Sequence, residues 1–490
     1  MSPRGALDAP NIKTHVQASS ADQAPKGTAS VAKSPRLPLV FLGLLPLLFL
    51  RNGLRPIGDP DTFWHIKAGG YLWETGNFSG DDPWSAHSTH PWVLHEWLPE
   101  LAMAGAAKVA GLPGVAWLNC LAIAALFTTV YLICRSRATI MPAVIAAAVA
   151  VFGASASLTP RPQLVSFILL AVVTGAWLKT AVDGRPRWWL IPLQWVWACS
   201  HGMWFAGVLV GLVVVSGLLL DSRVTPREAA RLLAVPLLGA AVAALTPAGP
   251  GVLIAPLKVS GMTAYVSEWN PPSLLSPNVA VTMCAAAAVA VLWLRRGQRT
   301  PWSHVAVLAM AVGWTLLYAR TVALGAVMLA PLLAMALQSL HPDEDEPSTA
   351  SERATLGASV AASLLVALVA LPHLAAKPAE VPNGLDAQLR ALPQGTVIFD
   401  EYSLGGWLLW RHPQLVPVID PRTEIYDPAY VRAHVLALGA MPGWEDTVTK
   451  SAAAYALLPE QSPLAYALER GPDWAALARD SGFVLLMHKT

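Results

Sequence analysis

Charge is scarce in this chain. Lys, Arg, Asp and Glu make up 13% of its 490 residues, where a soluble domain carries about a quarter. The two signs nearly cancel, 33 basic against 31 acidic residues for a net +2. No basic stripe interleaved with aromatics exists, so no nucleic-acid partner is expected. Cysteine is almost missing. Cys120, Cys134, Cys199 and Cys284 are the only four, none with CxxC spacing, which excludes a zinc ribbon and a disulfide framework. They lie in or beside apolar segments and read as small buried residues. Phosphate-loop patterns are absent too, and Gly405-Gly406-Trp407 matches neither GxGxxG nor GK[ST]. His90, His95 and Glu96 do not form HExxH, so the sequence is no zinc protease.

What fills the chain instead is apolar. AVILMFWYC residues reach 54% and the mean hydropathy is +0.48. Successive apolar runs of about 16–22 residues predict transmembrane helices. Residues 1–36, rich in Ala, Ser, Pro and Lys, predict a disordered cytoplasmic tail. Residues 37–50 predict an uncleaved first helix. Further spans are expected near 113–134, 138–156, 163–181, 188–203, 205–220, 231–246, 279–294, 303–319, 321–338 and 354–373, about eleven in all. Lys and Arg in the short loops fall on alternate sides. The expected arrangement is a cytoplasmic N-terminus, a multi-pass domain over 37–376 with a large first outer loop at 52–112, and an extracytoplasmic tail domain over 377–490. The tail reads as a small α/β domain. VIFD (397–400) and LVPVID (415–420) predict strands, AYALLP and FVLLMH further strands, and 427–439 and 462–481 helices. Asp420 and Arg422 either pair and close that domain or face the membrane to help bind an acceptor.

The first outer loop is the chemically dense stretch. Between Ile57 and Glu100 lie Asp59, Asp61, Asp81, Asp82, His65, His87, His90, His95, Glu96 and Glu100. Asp61 reads as a helix N-cap and Gly76 as the matching stop. Between them Phe63, Trp64, Ile66, Tyr71 and Trp73 predict an aromatic-rich helix lying in a membrane interface. Asp81 and Asp82 with His90, His95 and Glu96 form a candidate oxygen/nitrogen site for Mg or Mn. Other unusual polar residues sort to the same outer side: Arg161 in TPRPQ, His201 in CSHGMW, Glu268 and Trp269 in SEWNPP, and Arg320 in YARTVA. Singly, the arginines read as snorkelling groups and His201 as a packing residue. Gathered in one place, they suit a different task, since arginines facing an acidic site match a lipid phosphate or pyrophosphate.

Several blocks in order carry a family resemblance: DPDTFWHIKAG, DDPWS and HPWVLHEWLPEL, then TPRPQLVSFIL, LQWVWACSHGMWFAG, LTPAGPGVL with EWNPP, and ARTVALGAVMLAPLLA. FDEYSLGGWLLWRHPQLVPVIDPRTEIYDPAY follows in the tail. Spanning roughly residues 56–430, the set resembles bacterial multi-pass proteins of the GT-C glycosyltransferase superfamily. That resemblance implies a GT-C-like helical membrane fold and transfer of a sugar from a polyprenyl-phosphate donor at the outer face of the cell membrane. The acceptor would be a cell-envelope glycan, a glycolipid or a protein. Asp59 or Asp61 would be the first-loop base. Arg161, Arg320 and His201 or His65 would steady the leaving phosphate, while Trp64, Trp92, Trp97 and Trp269 would stack on sugar or line a lipid groove. A flippase for a lipid-linked glycan and a non-catalytic assembly partner are the other readings. A transporter predicts internal repeats, and none is visible.

Overall fold

The computed structural model describes residues 36–254, 267–297, 299–342 and 347–489. The expected tail 1–36 lies outside them apart from Arg36, as does part of the acidic loop after His341. Helices form along the apolar runs, several of which carry an internal proline such as Pro46, Pro113 or Pro236: α1 (Arg36–Leu50), α2 (Pro60–Thr75), α3 (Trp97–Arg135), α4 (Ile140–Gly153), α5 (Gln163–Asp183), α6 (Leu190–Ala198), α7 (Phe205–Leu220) and α8 (Pro226–Ala243). Pro277–Arg295, Trp302–Leu317, Val322–Gln338 and Ala350–Leu374 complete the helical layer.

A helix stands at every expected stretch, yet among the described residues six are long and apolar enough to cross a membrane: Trp97–Arg135, Gln163–Asp183, Gly202–Leu220, Pro277–Arg295, Ala319–Gln338 and Ala350–Leu374. The expected span 188–203 is corrected. It holds only nine helical residues, about 14 Å against a hydrocarbon layer of about 30 Å. The helix α3 is long because two arms were joined: its backbone leaves helical geometry at Ala110 and at Gly111, where φ is 63°. Glycine takes that conformation without strain, and Pro113 just beyond cannot complete the helical ladder.

The centre of the bundle is Ala319–Gln338, whose apolar window is 83% buried, against 28% for Pro277–Arg295 and Ala350–Leu374 at the rim. Its Ala, Gly and Leu residues let α4, α5 and Trp302–Leu317 pack closely on every side. Cys120, Cys134 and Cys199 are buried thiols, while Cys284 is exposed.

The tail folds as a five-stranded sheet in the order β4-β3-β5-β7-β6. These strands are β3 (Thr396–Asp400), β4 (Leu415–Pro417), β5 (Tyr455–Pro459), β6 (Trp474–Asp480) and β7 (Phe483–His488); β1 (Ser79–Gly80) and β2 (Trp92–Val93) form a small ribbon in the first loop. The strand β3 pairs in parallel with β4 and β5, and β7 runs antiparallel to β5 and β6. The expected helix over 462–481 is corrected too. A helix covers Pro463–Arg470 and the rest is β6, an edge strand whose pairing with β7 overrides the helix preference of Ala, Leu and Arg.

The helix α2 departs from expectation in its surroundings. It is no surface helix in an interface. Phe63, Trp64, Ile66 and Leu72 are all buried, and of its aromatic residues only Trp73 stands well exposed, at 65%. It lies between α3 and the tail helix Tyr402–Arg411. Two glycines permit this. A Cβ at Gly69 would come 2.0 Å from the Glu100 carbonyl oxygen, and one at Gly406 would come 2.5 Å from that of Pro60.

Candidate functional site

The start of α2 sets the first half of the site. Pro60 takes the first helical position, which its fixed φ favours, so the cap falls on Asp59 and not on the expected Asp61. The Asp59 carboxylate accepts the Asp61 amide at 3.0 Å. Asp61 sits in the first turn, where its Oδ1 accepts Trp64 Nε1 at 3.3 Å. Thr62 Oγ1 donates to the Pro160 carbonyl at 3.0 Å, which pins α2 to the TPRPQ turn and delivers Arg161.

Arg161 is surrounded. Its Nε reaches Asp59 Oδ2 at 2.6 Å, its Nη1 reaches Asp61 Oδ2 at 2.9 Å, and its Nη2 reaches Glu268 Oε1 at 3.1 Å. Three carboxylates from two separate loops thus share one guanidinium. Burial pushes the Asp61 carboxyl up; Arg161 draws it down, Asp59 raises it again, and the net shift is upward.

Next to Glu268, Trp269 meets Tyr318 edge-on at 5.2 Å and carries the Arg320 guanidinium 4.8 Å above its ring. The Ala319 amide donates to the Asn270 carbonyl at 3.0 Å, so the SEWNPP loop and the Arg320 turn are tied together. Among the described residues Arg320 pairs with no carboxylate.

A second cluster lies behind α2. Glu96 and Glu100, four apart at the start of α3, share one helix face. The close crossing at Gly69 brings His65 onto it: His65 Nδ1 donates to Glu100 Oε1 at 2.9 Å, and Nε2 lies 3.8 Å from Glu96 Oε2. His95 and His201 approach Glu96 Oε1 at 3.4 and 3.7 Å. At His201 the Met203 amide donates to Nδ1 at 3.3 Å. That nitrogen is therefore an acceptor, Ser166 Oγ donates to it at 2.9 Å, and the proton sits on Nε2 facing Glu96. Burial holds His201 down to about 4, with Arg320, His95 and His65 adding to the effect against Glu96, so it is neutral at pH 7. Burial opposes the charged form of His95 as well, but Glu96 wins and raises it to about 9. His65 is raised likewise, its burial outweighed by Glu100, Glu96 and Asp61. Glu96 is buried, yet its histidine neighbours hold it well below the usual carboxylate range. The two clusters touch through Trp64 and His65, whose rings lie 3.6 Å apart.

The expected metal grouping is not the one the structure assembles. Asp81 and His90 are exposed. Asp82 turns away to the tail, where its Oδ1 takes Arg422 Nη1 at 2.6 Å. Of the described residues, His65, Glu96 and Glu100 form the set whose ligand atoms all lie within 4.8 Å of one another. Arg422 also binds Asp420 at 2.7 Å, and Tyr426 donates to the same carboxylate at 2.8 Å. Its guanidinium lies 4.7 and 5.0 Å from the Trp84 and Trp92 ring centroids, so the tail motif closes onto the first loop. Sequence reasoning placed Glu100 in the first-loop cluster but left it out of the metal grouping, and it overlooked Ser166 as a site partner. The four-residue step from Glu96 to Glu100 was a usable signal, while Ser166 offered none.

No family model and no curated protein matches the chain. Solved structures do. The chain is similar to archaeal oligosaccharyltransferase AglB from Archaeoglobus fulgidus, solved with an inhibitory peptide and a dolichol-phosphate, at TM-score 0.56 and 11% identity over 86% of this chain and 69% of that one. A crystal structure of the Archaeoglobus fulgidus oligosaccharyltransferase with zinc and sulfate gives 0.53 and 13%, over 86% and 68%. Arabinofuranosyltransferase AftD from Mycobacteria gives 0.50 and 15%, over 93% of this chain and 40% of that one. At such identities the likeness is one of fold: this chain shares the fold of these oligosaccharyl- and arabinofuranosyltransferases.

Proposed function

We propose that the chain is a membrane glycosyltransferase that moves a sugar from a polyprenyl-phosphate donor to an acceptor hydroxyl on the outer face, with the N-terminus cytoplasmic and the tail domain outside. The observation that carries this reading is the convergence of Asp59, Asp61 and Glu268 on Arg161 beside an Arg320 that no described carboxylate engages. Transfer needs a carboxylate to take the acceptor proton and a cation to hold the departing phosphate. Asp59 or Asp61 takes the proton. The acceptor oxygen then bonds to the anomeric carbon, and the carbon–oxygen bond to phosphate breaks with its electron pair staying on the polyprenyl phosphate. Arg161 is engaged by three carboxylates, so it fixes them in place. Phosphate binding falls to Arg320, with the neutral His201 as a nearby donor and Trp269 as its platform.

The two clusters differ in what they offer a divalent cation. Around Arg161 a metal does not fit, because the guanidinium already occupies the point where the carboxylates meet. His65, Glu96 and Glu100 fit better: they are one nitrogen and two oxygen donors, and the buried Glu100 Oε2 has no partner among the described residues. These residues would hold the ion, which supplies fixed positive charge next to the donor site when bound.

The test is transfer of labelled sugar from a panel of polyprenyl-phosphate sugars by purified protein. Asp59→Asn and Asp61→Asn are the informative variants, since Asn caps a helix as well as Asp. At least one abolishes transfer with folding intact; full activity in both removes the proposed base.

A further inference from the structure

We infer that a polar cavity beside Asp59 receives the acceptor as a single sugar ring, which assigns the proton-accepting contact to Asp59. This inference rests on the transferase reading above. The cavity encloses about 200 Å³ and is lined by Asp59, Asn119, Thr159 and Ala116, with Arg55 and Glu380 completing the wall. At about 30 Å³ per water it holds roughly six or seven waters, the bulk of one monosaccharide.

Its chemistry favours hydroxyl donors. Asn119 is only 4% exposed; its Nδ2 donates to the Leu158 carbonyl at 3.3 Å, and its Oδ1 has no partner among the described residues. A buried acceptor left alone is unfavourable, and a sugar hydroxyl supplies the missing donor. Asp59 and Glu380 are further acceptors. The one cation in the wall, Arg55, is exposed. A phosphate is therefore disfavoured here and goes to Arg320, which does not line this cavity.

Glu380 gives the cavity a second mark. Its φ is 60°, a conformation that costs a residue with a side chain free energy and that gathers at binding sites. The preceding residue is fixed by the Ala379 amide, which donates to the Ile57 carbonyl at 2.8 Å. The segment after the last membrane helix is thus tied to the strand of chain that leads into Asp59. A glycine at 380 adopts this backbone more easily than glutamate does, so the glutamate side chain is retained against local preference.

The experiment uses the full chain in nanodiscs with a polyprenyl-phosphate sugar and an alkyl glycoside acceptor. Asn119→Leu and Glu380→Gly each raise the acceptor KM roughly tenfold, the loss of one hydrogen bond, while the donor KM stays put. Glu380→Gly does so with an unchanged or higher melting temperature, which a merely structural role does not allow. Unchanged acceptor KM in both variants overturns the inference, and so does transfer to peptide but not to glycoside. If the wild type turns over no such donor, the transferase reading fails separately. The cavity is then judged by saturation-transfer NMR with methyl glycosides. Binding lost in Asn119→Leu supports it, and no binding, or equal binding in both proteins, overturns it.

Discussion

Removing the Arg161 side chain is the sharpest perturbation of this site. In Arg161→Ala, three carboxylates lose their shared cation. The Asp59 arm weighs most, because the arginine and aspartate side chains are 12% and 7% exposed at a separation of 2.6 Å. Breaking such a buried pair from one side costs about 3–5 kcal/mol. The Glu268 arm, whose carboxylate side chain is 38% exposed, adds only about 0–1 kcal/mol. The variant therefore melts well below the wild type. It also gains something, since a guanidinium-sized hole ringed by Asp59, Asp61 and Glu268 is an oxygen-rich site for a hard cation. Mn²⁺ at a hundred times its dissociation constant returns about 2.7 kcal/mol. Thermal unfolding of nanodisc-embedded protein, with EDTA and then with Mn²⁺, reads both effects. Arg161→Lys recovers little, because one ammonium cannot span three carboxylates as the planar fork does. A variant that melts like the wild type and ignores Mn²⁺ refutes the built-in-cation argument.

Other consequences follow from single residues. Arg422→Ala leaves Asp82 and Asp420 buried without their cation, costs about 3–5 kcal/mol, and makes residues 79–95 exchange amide hydrogens faster; unchanged exchange there contradicts the latch. Gly69→Val forces α2 off α3, because a Cβ already meets the Glu100 carbonyl at 2.0 Å, so the His65–Glu100 contact opens and transfer falls sharply in the activity assay. His434 is 1% exposed, and burial holds it down to about 4, aided by His87 and opposed by Asp400. Its folded pKa is depressed, so the stability tied to its neutral form is whole above about pH 6.5 and is lost as pH falls toward 4, by about 3 kcal/mol. Asp400, itself raised by burial, titrates in the opposite sense. The difference between wild type and His434→Phe unfolding curves isolates the histidine; parallel curves between pH 7 and 4 disprove it.

Much of this was legible in the sequence, unevenly. Asp59, Asp61, Arg161 and Glu268 announce themselves because charge beside a membrane is costly, and alternating loop charges put them on one side. Their meeting at Arg161 follows from the Thr62–Pro160 bond, which no periodicity reveals. The cap fell on Asp59 for a local reason, Pro60 at the first helical position, and that signal was present. Asp82 was grouped with histidines because nothing nearby shows that Arg422, 340 residues away, claims it. The helix α2 was placed at an interface from its aromatics alone. Whether an aromatic face meets lipid or a later domain depends on chain that folds back much later.

That return of the chain bears on how the protein is made. The first loop leaves the ribosome early, yet the guanidinium that rests against the Trp84 and Trp92 pair belongs to residue 422. A nascent polypeptide therefore carries an incompletely held first loop until residues 420–426 have been made and folded back onto it. Truncation of the tail before residue 420 leaves the early residues in place but without the clasp that shapes them.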